Sequence, residues 1–206
     1  MTLFNKLSVT NFTASTIPDD FLKDFAHHQK ITRKWVRTDA GWELEDASIL
    51  REWDAEKRIW LAGYMREKIQ NGGTVMAAFL PEGQLAGFCC VGGDLAGETA
   101  SYANLLLLFV DDRFKRHGIG RLLLQEACRY AKKLGAEKLF LSAIPSEDTI
   151  AFYQNMGCVD AKEIVNPFVD DEEDRLMEIT TKDGNCGRWA ELCRQNKRNS
   201  QSIADF

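Results

Sequence analysis

Residues 105–143 constrain the fold more than any other stretch. An unbroken apolar run, "LLLLFV" at 105–110, leads through Asp111 and Asp112 into "RFKRHGIGRLLL". After it, Ile119, Leu122, Leu123, Ala127, Tyr130, Ala131 and Leu134 fall on one helical stripe, with Arg121, Gln125, Arg129, Lys132 and Lys133 off it, and Gly135 follows. Residues 138–143, "KLFLSA", are again largely apolar. A strand covered on both faces reads as a continuous apolar run, an amphipathic helix as a stripe, and glycine past the last turn as a stop. Strand, helix and strand within roughly 40 residues is the length of a βαβ unit, whose parallel strands require a right-handed crossover.

The flanking stretches fit around such a unit. "NKLSVTNFT" alternates as a strand, and Pro18-Asp19-Asp20 is placed to start a short helix through Phe21, Leu22 and Phe25. "ITRKWVRTDAGWELED" predicts two tryptophan-bearing strands that turn at Thr38-Asp39-Ala40-Gly41. Over 54–70, Ile59, Trp60, Ala62 and Met65 recur at helical spacing until Asn71-Gly72-Gly73 stops them. "TVMAAFLPEGQLAGFCCVGG" predicts a second hairpin, broken at Pro81-Glu82-Gly83. Ser146, followed by Glu147 and Asp148, suits the start of a further helix that Gly157 ends, and "DRLMEITT" from Asp174 reads as a closing strand. The expected class is α/β (α+β): a mixed, mostly antiparallel sheet with helices on both faces. One domain is expected over 1–182, followed by a polar tail at 183–206 in which "RWAELCRQNKR" is at best a short helix.

Composition narrows the function classes. A chain of 206 residues with 45% hydrophobic content supports one sizeable core rather than two. Lys plus Arg total 26 against 31 for Asp plus Glu, a formal charge of -5, which disfavours nucleic acid as partner. The six cysteines show no CxxC spacing, and His27 and His28 lack a third ligand, so no metal is expected and the two histidines read as surface residues. No apolar stretch approaches the roughly 20 residues that span a bilayer, and "MTLFNKLSVT" lacks an apolar leader core, so a cytoplasmic protein with no membrane partner is expected.

The glycine pair raises a question of anion binding. Gly118 and Gly120 stand where the chain leaves a strand and enters a helix, so several N–H groups lack intrahelical acceptors and point outward together. Lys115, Arg116, His117 and Arg121 add cationic or titratable groups within the same turn. No GKS or GKT ends the stretch, so it is no Walker loop, and Leu123 stands where a dinucleotide fingerprint needs its third glycine. The structural alternative is a glycine that eases a helix start beside a solvated basic patch.

Lys115-Arg116-His117-Gly118-Ile119-Gly120 between strand and helix resembles the signature of the GNAT superfamily of acyl-CoA N-acyltransferases: Gln or Arg, two residues, Gly, any residue, then Gly or Ala. Lys115 departs from the usual first residue. "TIAFYQNMGC" at 149–158 is similar to the family's later helix, and the likeness is strongest over about 87–157. The resemblance implies a GNAT-like fold and an acetyl-CoA-dependent N-acetyltransferase acting on a primary amine of a small molecule or peptide, through a ternary complex without covalent intermediate. It implies that Lys115, Arg116, His117, Gly118, Ile119, Gly120 and Arg121 line the coenzyme A pyrophosphate site. Phe109 and Val110 would carry pantetheine, and Ser146 at the next helix start would join the coenzyme site.

Acyl transfer further needs an oxyanion donor, a proton for the thiolate and a base. By resemblance, the Val110 N–H is the first and Tyr153 the second, against the plainer reading of Tyr153 as packing between helix and sheet. Many relatives carry a glutamate early in the strand before the glycine turn; Asn104 stands here, so a water relay to a distant acid is expected. Glu98, the nearest upstream carboxylate, reads as a surface residue, and Asp111 and Asp112 as turn caps. The acidic run at 170–174 reads either as a solvated loop or as a border that gathers cationic amines. Trp35 and Trp42 suit either an acceptor wall or plain packing. Cys89 and Cys90, inside a strand, read as inert. A non-catalytic acyl-CoA sensor or scaffold, a flavodoxin-like nucleotide binder and a homodimer stay open.

Overall fold

The computed structural model describes residues 7–182. Along them run β1 Ser8–Phe12, β2 His28–Thr38, β3 Gly41–Glu52, α1 Ala55–Gln70, β4 Thr74–Phe79, β5 Leu85–Ala96, β6 Tyr102–Val110, α2 Ile119–Leu134, β7 Lys138–Ala143, α3 Glu147–Asn155, β8 Val159–Asp160 and β9 Arg175–Thr180. Seven strands form a sheet in the order β1-β4-β5-β6-β7-β9-β8. Its neighbours are antiparallel except β6 and β7, which α2 joins. β2 and β3 form a separate ribbon. The tail at 183–206 lies outside the described residues.

Alternation along β4 and β5 sends side chains to two apolar layers. Met76, Ala78, Cys89 and Val91 pack with Leu123, Ala127 and Ala131 of α2 and with Ile150 and Tyr153 of α3. Val75, Ala77, Phe88 and Cys90 pack with Leu61, Ala62 and Met65 of α1. Among the described residues no helix is long and apolar enough to cross a membrane.

Two local expectations are corrected. α1 begins where expected, Asp54 accepting the Lys57 N–H at 2.7 Å, but Ile59 and Trp60 are exposed. The buried stripe is Leu61, Ala62 and Met65, while Trp60 stacks on Tyr64 beneath the Lys57 ammonium. Residues 18–25 form successive turns, with Phe21 N–H bonded to Pro18 O, Lys23 to Asp20 and Phe25 to Leu22, instead of a helix. So short a segment gains little from α-helical bonds alone, and the turns already bury Leu22 and Phe25 beside α1.

Candidate active site

β5 holds β6 from Ala96↔Tyr102 to Gly87↔Val110. On the opposite edge, pairing with β7 covers only Tyr102↔Lys138 to Asn104↔Phe140, although both strands continue. Beyond Asn104 the strands part in a wedge, and the β7-facing N–H and C=O groups of β6 form an open edge to which an extended amide can add as a strand would. The parting begins at a bulge: Cys90 faces Leu107 and Val91 faces Leu105, so Leu106 is an extra residue. A bulge bends its strand and increases local twist. Residues 106–110 are therefore half-buried wedge lining, correcting the expectation of a strand covered on both faces.

Beyond Val110 the chain turns into α2. Asp111, fully buried, accepts the Ala26 N–H at 2.9 Å and three bonds from Arg113 at 2.6–3.0 Å. Burial alone would raise its pKa, but these bonds outweigh it and hold the carboxyl below its usual range. Asp112 accepts the His28 N–H and pairs with Lys115. Arg116, at φ +69, and Gly118, at φ +81, both take left-handed conformations, and His117 Nδ1 lies 2.8 Å from the Lys115 carbonyl. Such a turn gathers N–H groups into an anion-binding concavity. No N-cap side chain bonds to the start of α2 at Gly118, and the N–H groups of a first helical turn lack intrahelical acceptors. A Cβ on Gly118 would meet nothing within 4 Å, which leaves the approach open; one on Gly120 would stand 3.2 Å from Phe152 and 3.5 Å from Val110.

The expected coenzyme residues thus fall at one end of the wedge, in two kinds. Lys115, Arg116 and His117 are exposed, whereas the Ile119 side chain is buried in the α2 core, so only its main chain can face a ligand. Ser146 caps α3, and its buried hydroxyl is engaged with Thr149 and with Gln29 of β2. It joins ribbon to helix at the rim.

The β2–β3 ribbon docks across that rim. Trp35 N–H donates to Pro145 O at 2.7 Å, and Arg33 pairs with Glu147 at 3.1 Å. The Arg175 guanidinium lies 5.3 Å from the Trp35 ring centre and 5.0 Å from that of Trp42, while donating two bonds to Asp160 at 2.6 and 2.9 Å. The tryptophans flank this cation. His27 corrects the surface reading: it is 6% exposed, with its ring 4.2 Å from Trp53 and 5.2 Å from Phe109. Burial lowers its pKa to about 4, so it is neutral near pH 7.

Tyr153 of α3 packs in the core on the α2 side of the sheet with Leu105 of β6 and Leu139 and Leu141 of β7. It is 8% exposed, and its ring stands 5.1 Å from Phe152, the residue that closes on Gly120. Burial raises its phenol pKa strongly, with smaller increments from Cys158, Cys89 and Asp174. A phenol held protonated can donate a proton. From the other face Ser142 of β7 donates to Asp174 at 2.8 Å and accepts the Asp170 N–H at 3.2 Å. Burial raises the Asp174 pKa; Asp171 and Glu173 add to this, while Ser142 and Arg51 oppose it.

A model of the acetyltransferase (GNAT) family matches residues 28–158, a span that contains the wedge and its glycine turn. The chain belongs to this family. Solved structures share the fold at low identity. A nourseothricin acetyltransferase is 16% identical, with TM-score 0.57, and the match covers 85% of this chain and 99% of that one. A Bacillus anthracis protein assigned as a streptothricin acetyltransferase, solved with acetyl coenzyme A, is 18% identical with TM-score 0.59, covering 85% and 98%. The ribosomal-protein-S18-alanine N-acetyltransferase of Escherichia coli is 19% identical with TM-score 0.53, covering 86% and 96%. No curated protein sequence matches the chain.

The Leu106 bulge, buried His27 and the Ser142 junction were not found from the sequence. Bulges carry no fixed residue signature, and the other two depend on partners distant in the chain. The acidic run at 170–174 is the local signal for Asp174, and a solvated loop is the commoner meaning of such a run.

Proposed function

We propose that this GNAT protein transfers an acetyl group from acetyl-CoA directly to a primary amine of a small molecule or peptide. The observation that carries the reading is the alignment of the open β6 edge with the uncapped start of α2. N–H groups of the glycine turn would hold the pyrophosphate, with Arg116 and Arg121 nearby. Pantetheine would pair along 105–110 and bring the thioester to the place where β6 and β7 part. A β6 N–H there would receive the oxyanion, and Tyr153 would protonate the departing thiolate. One structural neighbour was solved with acetyl coenzyme A and another is an N-acetyltransferase, which supports this reading.

Direct transfer is favoured over an acyl-enzyme. Cys89 and Cys90 are fully buried, and burial pushes both thiols well above their ordinary range, which suppresses the nucleophilic thiolate. Asn104, standing where relatives often carry a glutamate, favours a second reading as an acyl-CoA sensor without turnover. Calorimetry with coenzyme A, followed by thiol release from acetyl-CoA with an amine panel, decides between them. Binding and release are expected. Absence of heat on folded protein sinks both readings, and binding without release on any amine selects the sensor.

A further inference from the structure

Ser142 draws two carboxylate-bearing residues to the face of β7 that also carries Phe140, since side chains alternate along a strand. Phe140 is the register partner of Asn104, the last paired residue before the wedge opens. Asn104 is 4% exposed, and its carboxamide oxygen has no hydrogen-bond partner among the described residues. A buried acceptor without a partner is destabilising, and a donor-bearing ligand would relieve it. A Cβ on Gly92 of β5 would make only ordinary contacts, 3.7 Å to Leu106, 3.9 Å to the Asn104 carbonyl oxygen and 4.0 Å to the Asn104 Cβ, so no side chain from β5 crowds this stretch of β6. α1 borders the same region: burial pushes the Tyr64 phenol up to about 12, and the nearby Asp170 charge adds to the rise.

Resting on the acetyltransferase reading, we propose that Asn104, Asp170 and Asp174 receive the acceptor's ammonium group and that Asp174 takes its proton, so that the acceptors arrive as cations. Three oxygen-bearing side chains then face a group that only donates, and the carboxylate missing from β6 is supplied by the loop before β9. The protons balance. Asp174 removes one from R–NH3+; the freed lone pair forms the C–N bond to the thioester carbonyl, and the C–S bond breaks with its electron pair on sulfur. Sulfur takes the Tyr153 proton, a second N–H proton restores the phenol, and Asp174 releases its own to water.

The charged groups facing this site are Asp171 and Glu173 from the loop, Arg51 from β3 and Lys68 from α1. Desolvation, the largest cause, raises the Asp170 carboxyl although the residue as a whole is exposed; Asp174 adds to the rise and Lys68 opposes it. The raised Asp174 carboxyl makes it a better base than a solvated aspartate.

The test measures thiol release from acetyl-CoA with spermidine, lysine amide and kanamycin, alongside coenzyme A calorimetry and thermal melting. Asp174→Asn should lower kcat/KM for the best amine about 100-fold and remove the acid limb of the pH profile, with coenzyme affinity within twofold. Asn104→Leu should raise the amine KM about tenfold and leave coenzyme affinity unchanged; it decides the matter if Asp174→Asn fails to fold. Rates within threefold of wild type in folded variants overturn the proposal, as does a wild-type protein that binds coenzyme A but releases no thiol with any of these cations. A wild-type protein that does not bind coenzyme A removes the acetyltransferase reading itself.

Discussion

In the proposed reading, one end of the wedge works through main-chain N–H groups from a single turn, 115–121. The other works through side chains from β6 and from the loop at 170–174, which Ser142 of β7 anchors. The first end depends on backbone conformation: Arg116 and Gly118 are left-handed, and Gly120 has Phe152 and Val110 at its back. Its side chains can change while the glycines cannot. The second end depends on side-chain chemistry, with the Ser142 hydroxyl donating to the Asp174 carboxylate and accepting the Asp170 N–H. A family can therefore keep the coenzyme end constant while the acceptor end varies.

In the proposed mechanism Tyr153 acts where the two ends meet, and its removal should have the largest effect. Tyr153→Phe keeps the ring against Phe152 and removes the proton donor, so kcat should fall by about 10² to 10⁴ while coenzyme affinity stays within twofold. A steady-state pH profile checks it. An alkaline limb unchanged by the substitution would take Tyr153 out of the chemistry and leave the two ends without a shared group.

Gly120→Leu should sharpen the contrast. A Cβ there already stands 3.2 Å from Phe152 and 3.5 Å from Val110, so the longer side chain must displace them and shift the turn. Coenzyme A affinity by calorimetry should drop about 100-fold, roughly 2.7 kcal/mol, with the amine KM unmoved. Equal losses at both ends would mean that the ends are not separable.

The same contrast explains what could be read in advance. The βαβ unit, the glycine turn, the ribbon and the position of Tyr153 all rest on short-range patterns: an apolar run, a stripe, GxG, two tryptophan strands about a glycine. His27 and Asp174 rest on long-range meetings. His27 lies beside Trp53 and Phe109, and Asp174 against Ser142, 32 residues away. Nothing local marks a histidine as buried or a carboxylate as desolvated. In α1 the helix, Ala62 and Met65 hold while Ile59 and Trp60 do not, for a related reason: Trp60 meets Tyr64 and Lys57 on the helix's own surface, which periodicity alone does not separate from the core.

His27 sets a pH dependence beside Trp53 and Phe109. Its pKa is about 4 folded against about 6.5 unfolded, so between those values the unfolded chain binds a proton that the folded one does not. Its contribution to stability is full above about pH 6.5 and is lost as the pH falls toward 4. At pH 5 the loss should be about 2 kcal/mol. Urea melts at pH 7.5 and pH 5 should show wild type losing that much more than His27→Phe, which keeps the stack on Trp53 and Phe109. Equal losses would place the acid sensitivity elsewhere, with Asp111 the next group to replace.

Arg175→Ala should give the smallest effect and confine it to the acceptor end. The guanidinium between Trp35 and Trp42 ties the ribbon to the start of β9, one residue after Asp174. Asp160 is half-exposed and rehydrates when its partner goes, so the cost is mainly the lost stacking, about 1 kcal/mol in a thermal melt. The amine KM should rise about threefold as the Asp174 loop loosens, with coenzyme affinity unchanged. Arg175→Lys should not restore it, because an ammonium lacks the planar face that lies between the two rings. A lysine variant with wild-type KM would show that charge pairing with Asp160, rather than the ribbon's tryptophans, holds the acceptor end in register with the glycine turn.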